Sequence, residues 1–167
     1  MDVDILSLPE GITILTGGRG KGKTRACQRL AEQARHKGWQ IAGLLCPAVF
    51  EDGVKTGIDM LDLNSGTLSR LAKVVNQNAG EITTDHWDFD VDVLARGNEI
   101  LECIGKCDLL IVDELGPLEF YRRQGWVKAF DTLRRGEFRR AVVVIRPELL
   151  DEARKLWPSA RIVNLDY

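Results

Sequence analysis

The residues with the clearest chemistry lie in one stretch, Gly17-Gly18-Arg19-Gly20-Lys21-Gly22-Lys23-Thr24, whose spacing is G-x-x-x-x-G-K-[ST]. A polyphosphate carries several negative charges on closely spaced oxygens, and each oxygen needs a donor that no side chain obstructs. The glycines at 17, 18, 20 and 22 allow successive backbone N–H groups to converge on one point. A helix starting near Gly22 would add its free N–H groups and the positive end of its dipole. In this pattern Lys23 reaches the β- and γ-phosphates and the Thr24 hydroxyl ligates Mg²⁺. Arg19 and Lys21 complete the expected cradle, although Lys21 also reads as a solvated lysine.

A second constellation follows four apolar residues. Leu109-Leu110-Ile111-Val112 runs into Asp113-Glu114. In a parallel sheet every strand delivers its C-terminal residue to the same edge, where ligands bind. Asp113 is therefore expected beside Thr24, supporting the metal, usually through a water. Glu114 is placed to orient and deprotonate a water for in-line attack on a γ-phosphate. Arg146 ends another apolar run, Ala141 to Ile145. There it reads either as a cation for charge developing in a transition state or as a surface arginine at a strand end. Arg122 and Arg123 are further candidates for that cation, and equally solvated residues at a helix start.

The elements that must position these residues alternate. Ile12 to Leu15 predicts a buried strand ahead of the glycine loop. Ala26, Leu30 and Ala34 recur at helical spacing after it, and Lys37-Gly38 predicts the stop. Gln40 to Leu45 predicts a second strand. Between 50 and 72, Asp52-Gly53 and Asn64-Ser65-Gly66 are turn signals, and they predict a small antiparallel hairpin insertion. Asn76 to Asp88 is polar and predicts a loop; Trp87 within it offers a ring on which a base could stack. A helix is expected over 91–105, the unalternating strand at 109–112, a helix over 122–135 and the strand at 141–145. A last helix (148–156) and strand (161–163) complete the chain. This order predicts an α/β fold with a mainly parallel sheet and helices on both faces, in a single domain spanning 1–167.

Composition sets the limits. The chain has 167 residues, 44% of them hydrophobic and 29% charged, with a formal net charge of −2. That balance offers no global attraction to nucleic acid or to anionic lipid. Arginines cluster at 134–140, where complementing a helix dipole is the simpler reading, so nucleic acid is not expected as a partner. No apolar run approaches the length of a membrane span, and Met1-Asp2-Val3-Asp4 does not read as a signal peptide. The four cysteines, Cys27, Cys46, Cys103 and Cys107, form no C-x-x-C pair. They read as buried free thiols of a reducing cytoplasm, with Cys103 and Cys107 facing one way at a helix end.

With these motifs in place, the chain resembles the small phosphate-loop nucleoside-triphosphatases first associated with thermophiles. The resemblance is carried by Thr16 to Thr24, by Gly53 to Leu63 with its Lys55-Thr56-Gly57, and by Val112-Asp113-Glu114-Leu115-Gly116-Pro117-Leu118-Glu119. It implies a RecA-like core and slow, Mg²⁺-dependent hydrolysis of ATP, GTP and other triphosphates. It also implies that Lys23 and Thr24 bind phosphate and metal, that Asp113 supports the metal and that Glu114 serves the water. The chain departs from the family at Arg146, where some members carry histidine, and at Leu44 to Val49, where a Thr-Pro-Glu type of sequence is common. Two other readings stand beside this one. A nucleotide or polynucleotide kinase would need an acceptor pocket and an arginine-rich lid. A nucleotide-dependent switch or accessory subunit would act through a protein partner.

Overall fold

The β-branched run before the glycine loop forms β1 (Gly11–Thr16), and the helix after the loop is α1 (Lys23–His36). Both belong to a computed structural model that describes residues 3–75, 80 and 82–167. Strand β2 (Ile41–Leu45) follows, then β3 (Ala48–Glu51), β4 (Val54–Asp62) and β5 (Leu68–Val74). Short strands β6 (Ile82–Thr83) and β7 (Trp87–Phe89) lead into α2 (Val91–Glu102) and β8 (Cys107–Leu115). The chain continues through α3 (Pro117–Phe120), α4 (Lys128–Arg135), β9 (Phe138–Ile145), α5 (Leu150–Leu156) and β10 (Arg161–Asn164).

The strands join one sheet in the order β10-β1-β9-β8-β2-β4-β5-β7-β6, with β3 on β4. The first five are parallel to one another, Ile14 pairing with Ile162 and with Val143, and Val112 with Val143 and with Leu44. Parallel strands need crossovers, and the helices that supply them cover both faces. Alternation along β8 shows this directly. Leu110 and Val112 join one buried cluster with Val93, Leu101 and Leu133 of α2 and α4. Leu109 and Ile111 join the other with Cys27, Leu30 and Ala34 of α1. The parallel order leaves β9 between the glycine-loop strand and the acidic strand, so the ends of β1, β9 and β8 lie side by side.

Beyond β2 the sheet changes hand. Leu44 pairs antiparallel with Asp62, and β4, β5, β7 and β6 extend the sheet as an antiparallel wing. The expected insertion at 50–72 is thus part of a larger addition, beginning at Ala48 and ending at Phe89. Its outer strands gave little periodic signal because β3 is mostly exposed and β6 and β7 are short. The polar loop expected at 76–88 is corrected in the same way, since 82–83 and 87–89 are strands; 76–79 and 81 lie outside the described residues.

Two helices also differ from expectation. The one predicted over 122–135 begins only at Lys128, after the short α3 and a turn in which Arg123 and Gly125 take φ of 51° and 72°. That turn is held by Glu119, whose carboxylate accepts from the N–H of Trp126 and of Gly116, so Trp126 packs as a core residue ahead of the helix. Helix α2 stops at Glu102, which leaves Cys103 at its exposed end and Cys107 in β8. The two thiols therefore do not share a helix, and of the four cysteines Cys27 is the fully buried one.

Candidate active site

The glycine loop leaves β1 and turns into α1 through Gly22, whose φ of 82° a side chain would resist. The first helical bond runs from Ala26 N–H to Gly22 O, so the N–H groups at the head of α1 have no partner within the helix. Lys23 crosses the loop, its ammonium donating to Gly17 O at 2.6 Å and Gly18 O at 2.8 Å. Arg19, Gly20 and Lys21 form the exposed crest. Gly18 N–H donates to both carboxylate oxygens of Asp166, at 3.1 and 3.0 Å. Asp166 follows β10, which lies alongside β1, so strand pairing delivers it there.

Asp113 is 1% exposed at the end of β8. Its Oδ2 accepts from Cys46 N–H at 3.1 Å, and the Thr24 hydroxyl lies near enough to pull its titration down. The two expected metal-site residues therefore come to the same place. Burial pushes the Asp113 carboxyl up to about 6, the Cys46 N–H and the Thr24 hydroxyl pull it down, and the charge of Glu114 raises it again. Lys23 is near enough to lower it. Burial, reinforced by Asp113, also lifts the thiols of Cys27 and Cys46 well above the ordinary range, which keeps both protonated and unreactive.

Glu114 and Arg146 meet each other. The Arg146 guanidinium donates from Nε to Glu114 Oε1, with side chains 40% and 32% exposed. The β9–β8 pairing accounts for this contact, since it sets Ile145 opposite Leu115 and brings both strand ends to one edge. Arg122 does not join them; it donates to Thr83 O at 2.6 Å and ties the turn after α3 to β6. Arg123 lines a separate apolar groove with Phe120, Val127 and Phe130. The arginines of the 134–140 cluster are engaged within the fold, Arg135 with Glu102 O, Arg139 with Glu10 and Arg140 with Leu8 O and the Trp39 ring.

Two participants carried no local sequence signal, and a third, Lys55, lies in the Lys55-Thr56-Gly57 stretch that the resemblance singled out without a role for it. Cys46 contributes a backbone N–H, which any residue but proline supplies. Asp166 arrives through a parallel pairing of distant strands. Lys55 arrives from the antiparallel wing, and its ammonium feels the charges of Glu114, Arg19, Arg146 and Asp113.

Fold and site together define a phosphate-loop protein with a glycine loop, an acidic strand and an intervening strand that ends in arginine. A family profile described as NTPase matches residues 12–161. The chain belongs to that family. It is similar to the nucleoside-triphosphatase THEP1 of Methanopyrus kandleri, 33% identical over 107 residues that cover 64% of this chain and 58% of the relative. The nucleoside-triphosphatase THEP1 of Pyrococcus abyssi is 26% identical over 144 residues, covering 85% and 78%. The matched stretch thus spans less than two thirds of the Methanopyrus protein. Among solved structures, a human cancer-related nucleoside triphosphatase superposes with a TM-score of 0.68 at 19% identity, covering 92% of this chain and 88% of that one. THEP1 of Aquifex aeolicus gives 0.66 at 20%, covering 92% and 89%. At these identities the likeness is one of fold.

Proposed function

We propose that this protein is a nucleoside-triphosphatase that cleaves the terminal phosphate of ATP, GTP and other triphosphates. The observation that supports it best is the approach of Thr24, on the glycine loop, to the buried Asp113 of the acidic strand. A glycine loop on its own binds phosphate; an acid at the loop's threonine prepares a metal–phosphate site. The names of the relatives point the same way.

Mg²⁺ fits this site. The Thr24 hydroxyl and the Asp113 carboxylate are hard oxygen donors, and Mg²⁺ is commonly held by one or two protein oxygens, phosphates and water. A cation there also opposes the burial that lifts Asp113 to about 6. When bound, the ion neutralises charge on the β- and γ-phosphate oxygens.

The chain's own residues supply the rest. Lys23 exchanges the carbonyls of Gly17 and Gly18 for phosphate oxygens, and the N–H groups of Gly20 to Thr24 close around them. Glu114 takes a proton from water. The water oxygen attacks phosphorus as the bond to the β-phosphate breaks, leaving nucleoside diphosphate and phosphate. Arg146 exchanges Glu114 for the phosphoryl oxygens, which frees the base at the moment the substrate is present. A base paired with Arg146 is consistent with slow turnover, and a site built from loop N–H groups and phosphate contacts with broad base tolerance. The free thiols suit the cytoplasm.

The test is phosphate release from each of the four common triphosphates with Mg²⁺. The wild type is expected to turn over all of them within about tenfold of one another, and Lys23→Ala to lose at least about 100-fold through lost phosphate binding. Label appearing on an added nucleoside instead of in free phosphate would replace hydrolysis by phosphotransfer.

A further inference from the structure

The antiparallel wing carries a cation to the edge where the glycine loop and the acid pair meet. The turn at Asp52-Gly53 takes φ of 47° and 77°, and the chain re-enters the sheet as β4 with Glu51 opposite Val54. Lys55 then pairs with Phe50, while Gly57 pairs with Val49, so Thr56 is an extra residue on β4. Such a bulge breaks the strict alternation of a strand and re-aims the side chain beside it. Beside the Leu44–Asp62 pairing, further contacts hold the wing against the core. Asp59 N–H donates to Pro47 O at 2.9 Å, and Leu61 pairs with Leu45. Cys46, which binds Asp113, lies between these two anchors in sequence.

Lys55 itself rests on an aromatic shelf. Its ammonium sits 4.8 Å from the centre of the Trp87 ring. Trp87 is fixed by pairing with Val74 on β5, which pairs in turn with β4. Among the described residues no carboxylate lies at ion-pair distance from Lys55. The charged groups that act on it are Asp113 and Glu114, which attract its charge, and Arg19 and Arg146, which oppose it. Partial burial is the largest influence and holds its ammonium below the ordinary lysine range. A lysine placed over a ring, exposed to solvent on its other side and within reach of the charges of two carboxylates and two arginines of one site is suited to an incoming polyanion.

We propose that Lys55 is a further catalytic residue, a cation from the antiparallel wing that contacts the γ-phosphoryl oxygens, with Trp87 as its positioning residue. Lys23 reaches the phosphates from the loop side and Lys55 from the opposite side, so charge that spreads over the γ-phosphoryl group in the transition state is met from two directions. A diphosphate lacks the group that Lys55 meets. The wing thus also supplies a means of telling triphosphate from diphosphate. This inference rests on the triphosphatase reading above.

The experiment uses the full chain carrying Lys55→Ala, Lys55→Arg or Trp87→Ala. Phosphate release gives kcat and KM, and calorimetry gives affinities for nucleoside diphosphate and for a non-hydrolysable triphosphate, all with Mg²⁺. Lys55→Ala is expected to lower kcat about 100-fold, to weaken the triphosphate analogue about tenfold and to leave diphosphate affinity unchanged. Unchanged diphosphate affinity also reports that the variant is folded. Lys55→Arg is expected to recover kcat to within about tenfold, and Trp87→Ala to fall between the two. Wild-type kcat in Lys55→Ala, or equal weakening of diphosphate and triphosphate, would overturn the role of Lys55 and leave the triphosphatase reading standing. Absence of phosphate release from the wild type would remove that reading instead. The triphosphate-selective loss of affinity in Lys55→Ala would then still decide whether Lys55 meets the γ-phosphate.

Discussion

Replacing Glu119 by glutamine tests how the turn behind the acid pair is held. Glu119 is 8% exposed. Its oxygens accept from Gly116 N–H at 2.8 Å and from Trp126 N–H at 2.9 Å, and so fix the chain just after Glu114. Burial pushes its carboxyl from the ordinary 4.5 up to about 7, against the downward pull of those two N–H groups. In the unfolded chain the same group titrates near 4.5. Between about pH 4.5 and 7 the native state therefore holds a proton that the unfolded state has released. Stability falls as pH rises through that window and levels off above about 7; the difference between the two pKa values corresponds to roughly 3 kcal/mol. Glutamine cannot ionise, and like the protonated acid it keeps a carbonyl oxygen for one of the two N–H groups. Urea unfolding of wild type and Glu119→Gln between pH 4 and 8, without magnesium, isolates the effect, because the titration of Asp113 is common to both. The variant is expected within about 1 kcal/mol of wild type near pH 4.5 and to gain roughly 3 kcal/mol on it by pH 8. Parallel stability curves would refute the claim that the fold raises this carboxyl.

The remaining predictions separate stability from turnover. Arg146→Ala removes a pair whose side chains are 40% and 32% exposed, so urea unfolding is expected to shift by less than about 1 kcal/mol. Its kcat is expected to fall about 100-fold, with Arg146→Lys in between. Gly43→Ala would set a Cβ 1.9 Å from Ile111 O at a φ of 113°. That forces β2 from β8 and drags the Cys46 N–H from Asp113, so loss of several kcal/mol or failure to accumulate as folded protein is expected in a thermal-melt and expression assay. Gly97→Ala would place a Cβ 2.1 Å from the Trp126 ring, in a side-chain contact that can partly relax. A smaller loss of about 1–3 kcal/mol in the same melts is expected.

The phosphate loop and the acid pair were legible because each is a local pattern with a fixed consequence. A glycine run must turn, and an apolar run without alternation must be covered on both faces. Strand order is a different kind of information. Nothing in Arg146 or Glu114 alone states that β9 lies between β1 and β8, and the pair of side chains follows from that order. The antiparallel wing was read too small because its outer strands are short or exposed, which leaves no periodicity to detect. The late start of α4 was hidden because Glu119, a buried carboxylate that takes the Trp126 N–H, outweighs the helical spacing of Trp126, Ala129 and Leu133. Asp166 and the Cys46 N–H reach the site through contacts between distant strands, where a linear pattern carries no trace, and the Lys55-Thr56-Gly57 stretch marked the resemblance without showing where its lysine would lie.

The measurement that bears most directly on the account is hydrolysis by Glu114→Gln, read together with its nucleotide affinity. The substitution removes the proton acceptor and keeps the shape, so Mg²⁺–triphosphate is expected to bind within about threefold of wild type while kcat drops by about 10²–10⁴. Turnover at the wild-type rate in that variant would contradict the assignment of Glu114 as the base that draws water onto the γ-phosphate.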